Sequence, residues 1–215
     1  DVGKEILEMG IPTGIQNSLI SISNVVVQSN INTFGSLAMA GIGTYTKIEG
    51  FAFLPITSFM MALTTFVSQN RGAREFDRAR KGARFGLTCS VSLAEIIGLL
   101  IALFAAPLMR LFANDPQVIQ YGVERAHYAT ILFFLLAYSH GVSAVLRGVG
   151  KSIIPMVVML VCWCFVRVTL LTALNMMFHN IVFVYMIYPF TWSLSSVVFL
   201  SLIHISEPTR QAEIS

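Results

Sequence analysis

What this sequence has little of is charge. Only 12% of its 215 residues are Asp, Glu, Lys or Arg, whereas 55% are hydrophobic and the mean hydropathy is +0.74. A soluble domain usually carries about 25% charged residues. The scarcity is also uneven: residues 9–46, 50–70, 126–146 and 168–206 contain none of the four, and 85–109 contain one, Glu95. About 20 mostly apolar residues cross a bilayer core as a helix, so each stretch holds at least one crossing and the longest holds two. A large soluble helical bundle is excluded, because its outward faces need a charge every few positions.

Cysteine is scarce too. Cys89, Cys162 and Cys164 all lie in apolar stretches, in no metal or redox spacing, and read as small buried apolar side chains. There is no initiating Met, no cleavable signal pattern and no lipidation motif. The chain opens at Asp1 as though cut from something longer. No catalytic residue, metal site or cofactor is assigned, and enzyme activity is not expected.

What is present is an all-α polytopic membrane protein of six spans. DVGKEILEMG at 1–10 reads as an interfacial lead-in. The first span is expected over 11–31 and carries Gln16, Asn17, Ser21, Ser23, Asn24, Gln28 and Asn30. Amides in hydrocarbon need partners, so this helix should face other helices or a wet cavity. Residues 32–49 are small and Gly-rich, predicting a turn with a short helix, and the second span follows over 50–69 with a kink near Pro55. Between Arg71 and Arg84 comes a loop with six basic and two acidic residues. The remaining spans are expected over 85–107, 126–146, 154–174 and 181–199, with Asn114, Asp115 and Pro116 marking a turn or helix start.

Basic residues orient the spans. One side holds Lys4, Arg71, Arg74, Arg78, Arg80, Lys81, Arg84, Arg147 and Lys151; the other holds Lys47, Arg110 and Arg125. The positive-inside rule puts the richer side, and both ends, in the cytoplasm of a multi-pass cell-membrane protein. The same rule accounts for the Arg-rich loop without nucleic acid. From about residue 200 the pattern breaks, and SLIHISEPTRQAEIS reads as a non-native, adaptor-derived tail over 200–215.

GIPTGIQNSLISISN at 10–24, INTFGSLAMAGIGTY at 31–45, the 51–84 segment with its VSQNRGA run, and LRGVGKSIIP at 146–155 together resemble the second half of a multidrug and toxic compound extrusion (MATE) transporter. The resemblance covers about 10–199. It implies a six-helix lobe, spans seven to twelve, of a two-lobed twelve-helix carrier whose first lobe is the missing partner. It also implies export of small amphipathic, often cationic, organic compounds in exchange for H+ or Na+, amid membrane lipids. Two other readings stay open: flippase-like export of a lipid-linked or larger amphiphile, and a structural membrane protein without transport. The 215-residue chain alone is expected not to transport.

Several residues are candidates for substrate binding or ion coupling. Glu49 stands beside Lys47 and four residues before Phe53; it can bind a cation, take a proton, or pair with Lys47 at an interface. Glu95 lies ten residues into the third span and Arg167 deep in the fifth, so each is costly to bury alone and they can pair with one another. Gln16, Asn24 and Gln28 recur on nearly one side of the first span and can line a cavity or join helices. His140 and, less centrally, His127 and His179 have relay chemistry near neutral pH. Some sodium-coupled members place acids in the seventh and tenth spans; 11–31 and 126–146 contain none, which the resemblance reads in favour of protons.

Overall fold

The computed structural model describes residues 2–212, with the side chains of 2, 5, 9 and 203–212 outside the description. Every regular element among the described residues is helical: α1 (Val2–Asn32), α2 (Ser36–Gly72), α3 (Phe76–Leu103), α4 (Ala105–Arg110), α5 (Pro116–Thr130), α6 (Phe133–Gly148), α7 (Ile153–Met159), a π-helical segment Leu160–Val166, α8 (Arg167–Phe178) and α9 (Ile181–Ala212). Four stretches are long and apolar enough to cross a membrane: Ser36–Gly72, Phe76–Leu103, Ile153–Phe178 and Ile181–Leu202. α5 and α6 make a fifth as a pair bent by 56°. α1, expected as the first crossing, has the length at 31 residues but is not among these stretches, its amides and hydroxyls interrupting the apolar run.

Three boundaries differ from the sequence reading. Residues 36–49 belong to α2, which runs unbroken for 37 residues through Pro55. Their small residues serve close packing: a Cβ at Gly41 would lie 2.6 Å from both Tyr121 Cβ and the Val118 carbonyl of α5. The Arg-rich segment is a tight turn, with Arg74 at φ 61°, followed by the first turns of α3. The fourth span begins at Pro116, where the Asp115 carboxylate accepts from Gln117 N at 2.8 Å and caps the helix. It therefore contains Glu124 and Arg125, and it is broken at Ile131–Leu132 rather than straight. The tail expected over 200–215 continues α9 to Ala212, and residues 213–215 lie outside the described part.

α2 is the central element, packed on α3, α5 and α6, while α9 closes against α6 and α8 and α1 lies along α7, the π segment and α8. The larger core joins Ile56, Ala94, Met109, Phe133, Leu136, Met159 and Trp192. A smaller core under α1 joins Val27, Ile31, Ile42, Leu171 and Val184. Polarity is inverted relative to a water-soluble domain: Leu103, Phe85 and Met176 are 76%, 73% and 84% exposed, whereas Arg125 and Arg167 are each 2% exposed. Lipid is the solvent that makes this arrangement stable.

Prolines within helices free a carbonyl one turn earlier, and two of those carbonyls are satisfied from elsewhere in the fold. Pro12 leaves the Glu8 carbonyl without its helical donor, and Ser152 Oγ donates to it at 2.9 Å. Pro189 does the same to Tyr185, and Arg125 Nη1 donates to that carbonyl at 2.9 Å. Each proline thereby becomes a tertiary tie between helices.

Candidate functional site

Successive residues one turn apart on α2, Tyr45, Glu49 and Phe53, share a face, and α5, α6, the π segment, α8 and α9 converge on it. Glu49 is thirteen residues into α2, about 20 Å from its start at the helical rise. It is half-buried, its Oε1 is enclosed without a hydrogen-bond partner, and so is the Tyr45 hydroxyl. The expected pairing with Lys47 is absent: two residues along a helix point to different sides, and the charges acting on the Glu49 carboxyl are those of Arg125 and Arg167.

Both guanidiniums are inside the lobe. Arg125 Cζ lies 4.0 Å from the Tyr188 ring centroid and 5.5 Å from that of Tyr45. Arg167 Cζ lies 4.6 Å from the same Tyr188 ring and 5.0 Å from Trp163. Arg167 also donates through Nε and Nη2 to Thr191 Oγ1 at 3.3 and 2.9 Å. Stacking on aromatic faces offsets part of the cost of burying a guanidinium. Neither arginine closes an ion pair with Glu49: among the described residues the one ion pair within 4 Å is Lys4–Glu8, at the surface.

The π segment positions the next part of the cluster. Its widened turn alters the carbonyl ladder, and Ser23 Oγ of α1 donates to the Trp163 carbonyl at 3.1 Å. Trp163 Nε1 in turn donates to Ser195 Oγ at 3.1 Å, and Ser195 and Ser196 lie 2.8 and 2.9 Å from Ser139 Oγ. His140 sits edge-on between Phe53 and Trp163, with centroids at 5.1 and 5.0 Å, and both its ring nitrogens are enclosed without a partner. Glu49, Arg167 and His140, three candidates from the sequence, thus belong to one buried cluster.

The other candidates lie elsewhere. Glu95 does not meet Arg167: its Oε2 accepts from Phe134 N of α6 at 3.1 Å, on the first turn after the break in the fourth span, where backbone N–H groups lack helical acceptors. Gln16, Asn24 and Gln28 do not form one lining, because eight residues advance a helix by about 80° beyond whole turns. Gln16 is 2% exposed and accepts from Arg147 Nη2 at 3.1 Å. Asn24 is exposed, and Gln28, also exposed, donates to Asn32 Oδ1 at 3.0 Å. His127 Nε2 lies 3.1 Å from the Ala102 carbonyl. His179 ends α8 in the left-handed region at φ 41° and stacks on Phe34 at 4.7 Å.

Sequence reasoning missed Arg125, Tyr45, Trp163, Tyr188 and Thr191. Arg125 counted as a charge outside the fourth span because Glu124 and Arg125 interrupt the apolar run. The signal that places it inside is the Asn114–Asp115–Pro116 helix start, which puts Arg125 about two and a half turns into α5. Its inclusion also removes the absence of acids from the fourth span, since Glu124 lies on the same helix and accepts from Gln120 Nε2 at 2.9 Å. Among the described residues no group of three or more His, Cys, Asp or Glu is placed to hold a metal ion, and all three cysteines are free.

A family model described as MatE matches residues 12–172. The chain is 30% identical over 155 residues to the probable multidrug resistance protein NorM of Thermotoga maritima, covering 72% of this chain and 33% of that protein. It is 29% identical over 154 residues to the probable multidrug resistance protein YoeA of Bacillus subtilis, covering 71% and 33%. Over 110 residues it is 26% identical to the FAD transporter of Shewanella oneidensis, covering 51% and 24%. In fold it matches a MOP superfamily transporter from Pyrococcus furiosus with a TM-score of 0.85 at 17% identity, covering 91% of this chain and 43% of that one. An outward-facing multidrug resistance MATE family transporter gives 0.82, covering 94% and 45%. The chain spans at most about a third of the length of these curated relatives and less than half of these solved chains.

Proposed function

The chain belongs to the MatE family, and from that premise we propose that it is the second six-helix lobe of a twelve-helix carrier. The carrier exports small amphipathic organic compounds, often cationic, in exchange for protons or sodium ions. Family membership makes the chain part of a transporter and not an enzyme. The observation that carries the coupled reading is the buried, half-open cluster around Glu49. A carboxyl whose charge feels two guanidiniums inside membrane-embedded helices has a charge state that depends on what else enters, and a carrier can use that dependence to distinguish an empty from a loaded site.

In this reading residues 11–199 form the lobe, 1–10 lead in from the cytoplasm, and both ends lie on that side. Glu49 is the coupling group, with Arg167 and His140 of the same cluster setting its surroundings. Gln16 is a structural partner of Arg147, while the exposed Asn24 and Gln28 face the first lobe across the substrate cavity. Glu95 positions α6. Proteoliposomes of the full-length carrier test the function. Efflux of a fluorescent organic cation should follow an imposed proton or sodium gradient and be lost in Glu49→Ala; gradient-independent efflux would remove the antiport claim. A second reading, export of a larger amphiphile, draws on the relative named as an FAD transporter. It is favoured if flavin dinucleotide, and not the cation, is moved.

A further inference from the structure

The cluster contains more positive than negative charge. Arg125 and Arg167 are each 2% exposed, Glu49 is the acid whose charge acts on Arg167, and neither guanidinium closes an ion pair within 4 Å among the described residues. A guanidinium has five N–H donors. Arg125 spends one on the Tyr185 carbonyl, and Arg167 spends two on a single hydroxyl, that of Thr191. The remaining donors lie around the Tyr188 ring that the two side chains share. Among the described residues no nitrogen of either arginine is both fully enclosed and unpartnered, so the spare donors reach the edge of the cluster, and two guanidiniums of like charge beside one ring are stabilised when an acceptor of opposite sign joins them. Glu49 and Tyr188 are only half-buried, so the cluster opens to the surface of the lobe.

We propose that a monovalent anion binds between Arg125 and Arg167 at the Tyr188 ring, either as a free ion or as the acidic group of an organic molecule. The anion supplies the second negative charge that the two arginines require, Glu49 being the first. A guanidinium fork suits a carboxylate, its weakly hydrated charge also accepts a halide, and the flanking aromatic edges, positive at their rims, tolerate negative charge beside them. The site does not depend on transport, so it can be occupied whether or not the carrier is an antiporter.

Trp163 reports directly on this site, because Arg167 Cζ lies 5.0 Å from its ring. The full-length carrier in detergent, without any gradient, is titrated with iodide at constant ionic strength while indole emission is followed. Subtracting the signal of Trp163→Phe isolates the reporter. The expected result is saturable quenching from Trp163 that acetate competes away if the site takes carboxylates, or that chloride alone competes away if it takes only halides. Arg125→Gln and Arg167→Gln should each weaken iodide about tenfold or more, the loss of one charge-assisted hydrogen bond. Glu49→Gln should act in the opposite direction, tightening iodide roughly tenfold by removing a like charge that acts on the same two arginines. A gain of affinity requires a folded protein, so it stands even if the arginine variants fail to fold. Linear quenching indifferent to Glu49→Gln would overturn the proposal, as would saturable quenching by caesium with none by iodide. Either result leaves the antiport reading untouched, which is decided by gradient-driven flux.

Discussion

Arg125 donates to the Tyr185 carbonyl at 2.9 Å, and that carbonyl is the one Pro189 deprives of its helical partner. A buried charge and a helix-breaking residue therefore offset each other's cost. Without the guanidinium, α9 would hold an unpaired carbonyl in a low-dielectric setting; without the proline, Arg125 would have one fewer acceptor. The relationship also brings Arg125 to the Tyr188 ring, so a structural bond in α9 fixes the position of a cluster charge.

This reciprocity is measurable as a double-mutant cycle. Arg125→Gln should destabilise the protein by about 2 kcal/mol, the scale of a charge-assisted hydrogen bond lost at a buried acceptor. Pro189→Ala restores a helical N–H to Tyr185, so the double variant should be more stable than the sum of the singles by about 1 kcal/mol. Unfolding midpoints in graded denaturing detergent give the four values. Strict additivity would show that the arginine does not act through that carbonyl.

Ser152 and Pro12 form the weaker counterpart, with Ser152 Oγ donating to the Glu8 carbonyl at 2.9 Å. The donor is a neutral hydroxyl, and the carbonyl belongs to the charged lead-in, where water competes. Ser152→Ala should cost only about 0.5–1 kcal/mol. Its local effect should be faster amide hydrogen exchange in the first turns of α1, with little change in α9.

Glu95 makes a prediction that separates holding a helix from carrying a proton. Its Oε2 receives the Phe134 N–H at 3.1 Å on the first turn of α6, where a carboxylate serves as a cap and complements the helix dipole. Glu95→Gln keeps an acceptor and loses only the charge, so it should cost about 0.5 kcal/mol and leave gradient-driven efflux by the full-length carrier in place. Glu95→Ala removes the acceptor and should cost about 1–2 kcal/mol. If Glu95→Gln abolished coupled efflux while stability held, its carboxyl would belong to the coupling chemistry instead.

Much of the scaffold was legible because bilayer crossing is a constraint on composition. The charge-free runs located the apolar stretches, and Asp115–Pro116 marked the start of α5. The site was legible only in part. Glu49, Arg167 and His140 stood out as polar groups in apolar surroundings, but what unites them is contact between α2, α6, α8 and α9, which no local spacing encodes. Arg125 was hidden by its neighbour: a Glu–Arg pair beside an apolar run looks like the end of a span, although the helix continues through it. The π segment has no composition that distinguishes it from the α-helices on either side. The small, Gly-rich residues at 32–49 read as a turn with a short helix because glycine has two uses, freeing the backbone at Gly35, where φ is 94°, and removing bulk at Gly41.

That second use yields a paired test on two other glycines. A Cβ at Gly98 of α3 would lie 2.3 Å from the Thr130 carbonyl and 3.1 Å from Phe133 Cβ, at the break between α5 and α6. The nearest obstacle is backbone, which cannot rotate aside, so Gly98→Ala must push α3 away and disturb the nearby Glu95–Phe134 bond. It should destabilise by about 2–3 kcal/mol, within the range for overpacking a well-filled interior. Gly43 of α2 is helical as well, but a Cβ there meets nothing within 4 Å in this lobe. Gly43→Ala should therefore be neutral or stabilise by up to about 1 kcal/mol through helix propensity and a less flexible unfolded chain. Thermal midpoints of the two variants of this 215-residue chain in one detergent should move in opposite directions or differ by several degrees. Equal midpoints would mean that α3 does not approach the break of the fourth span as closely as Gly98 requires.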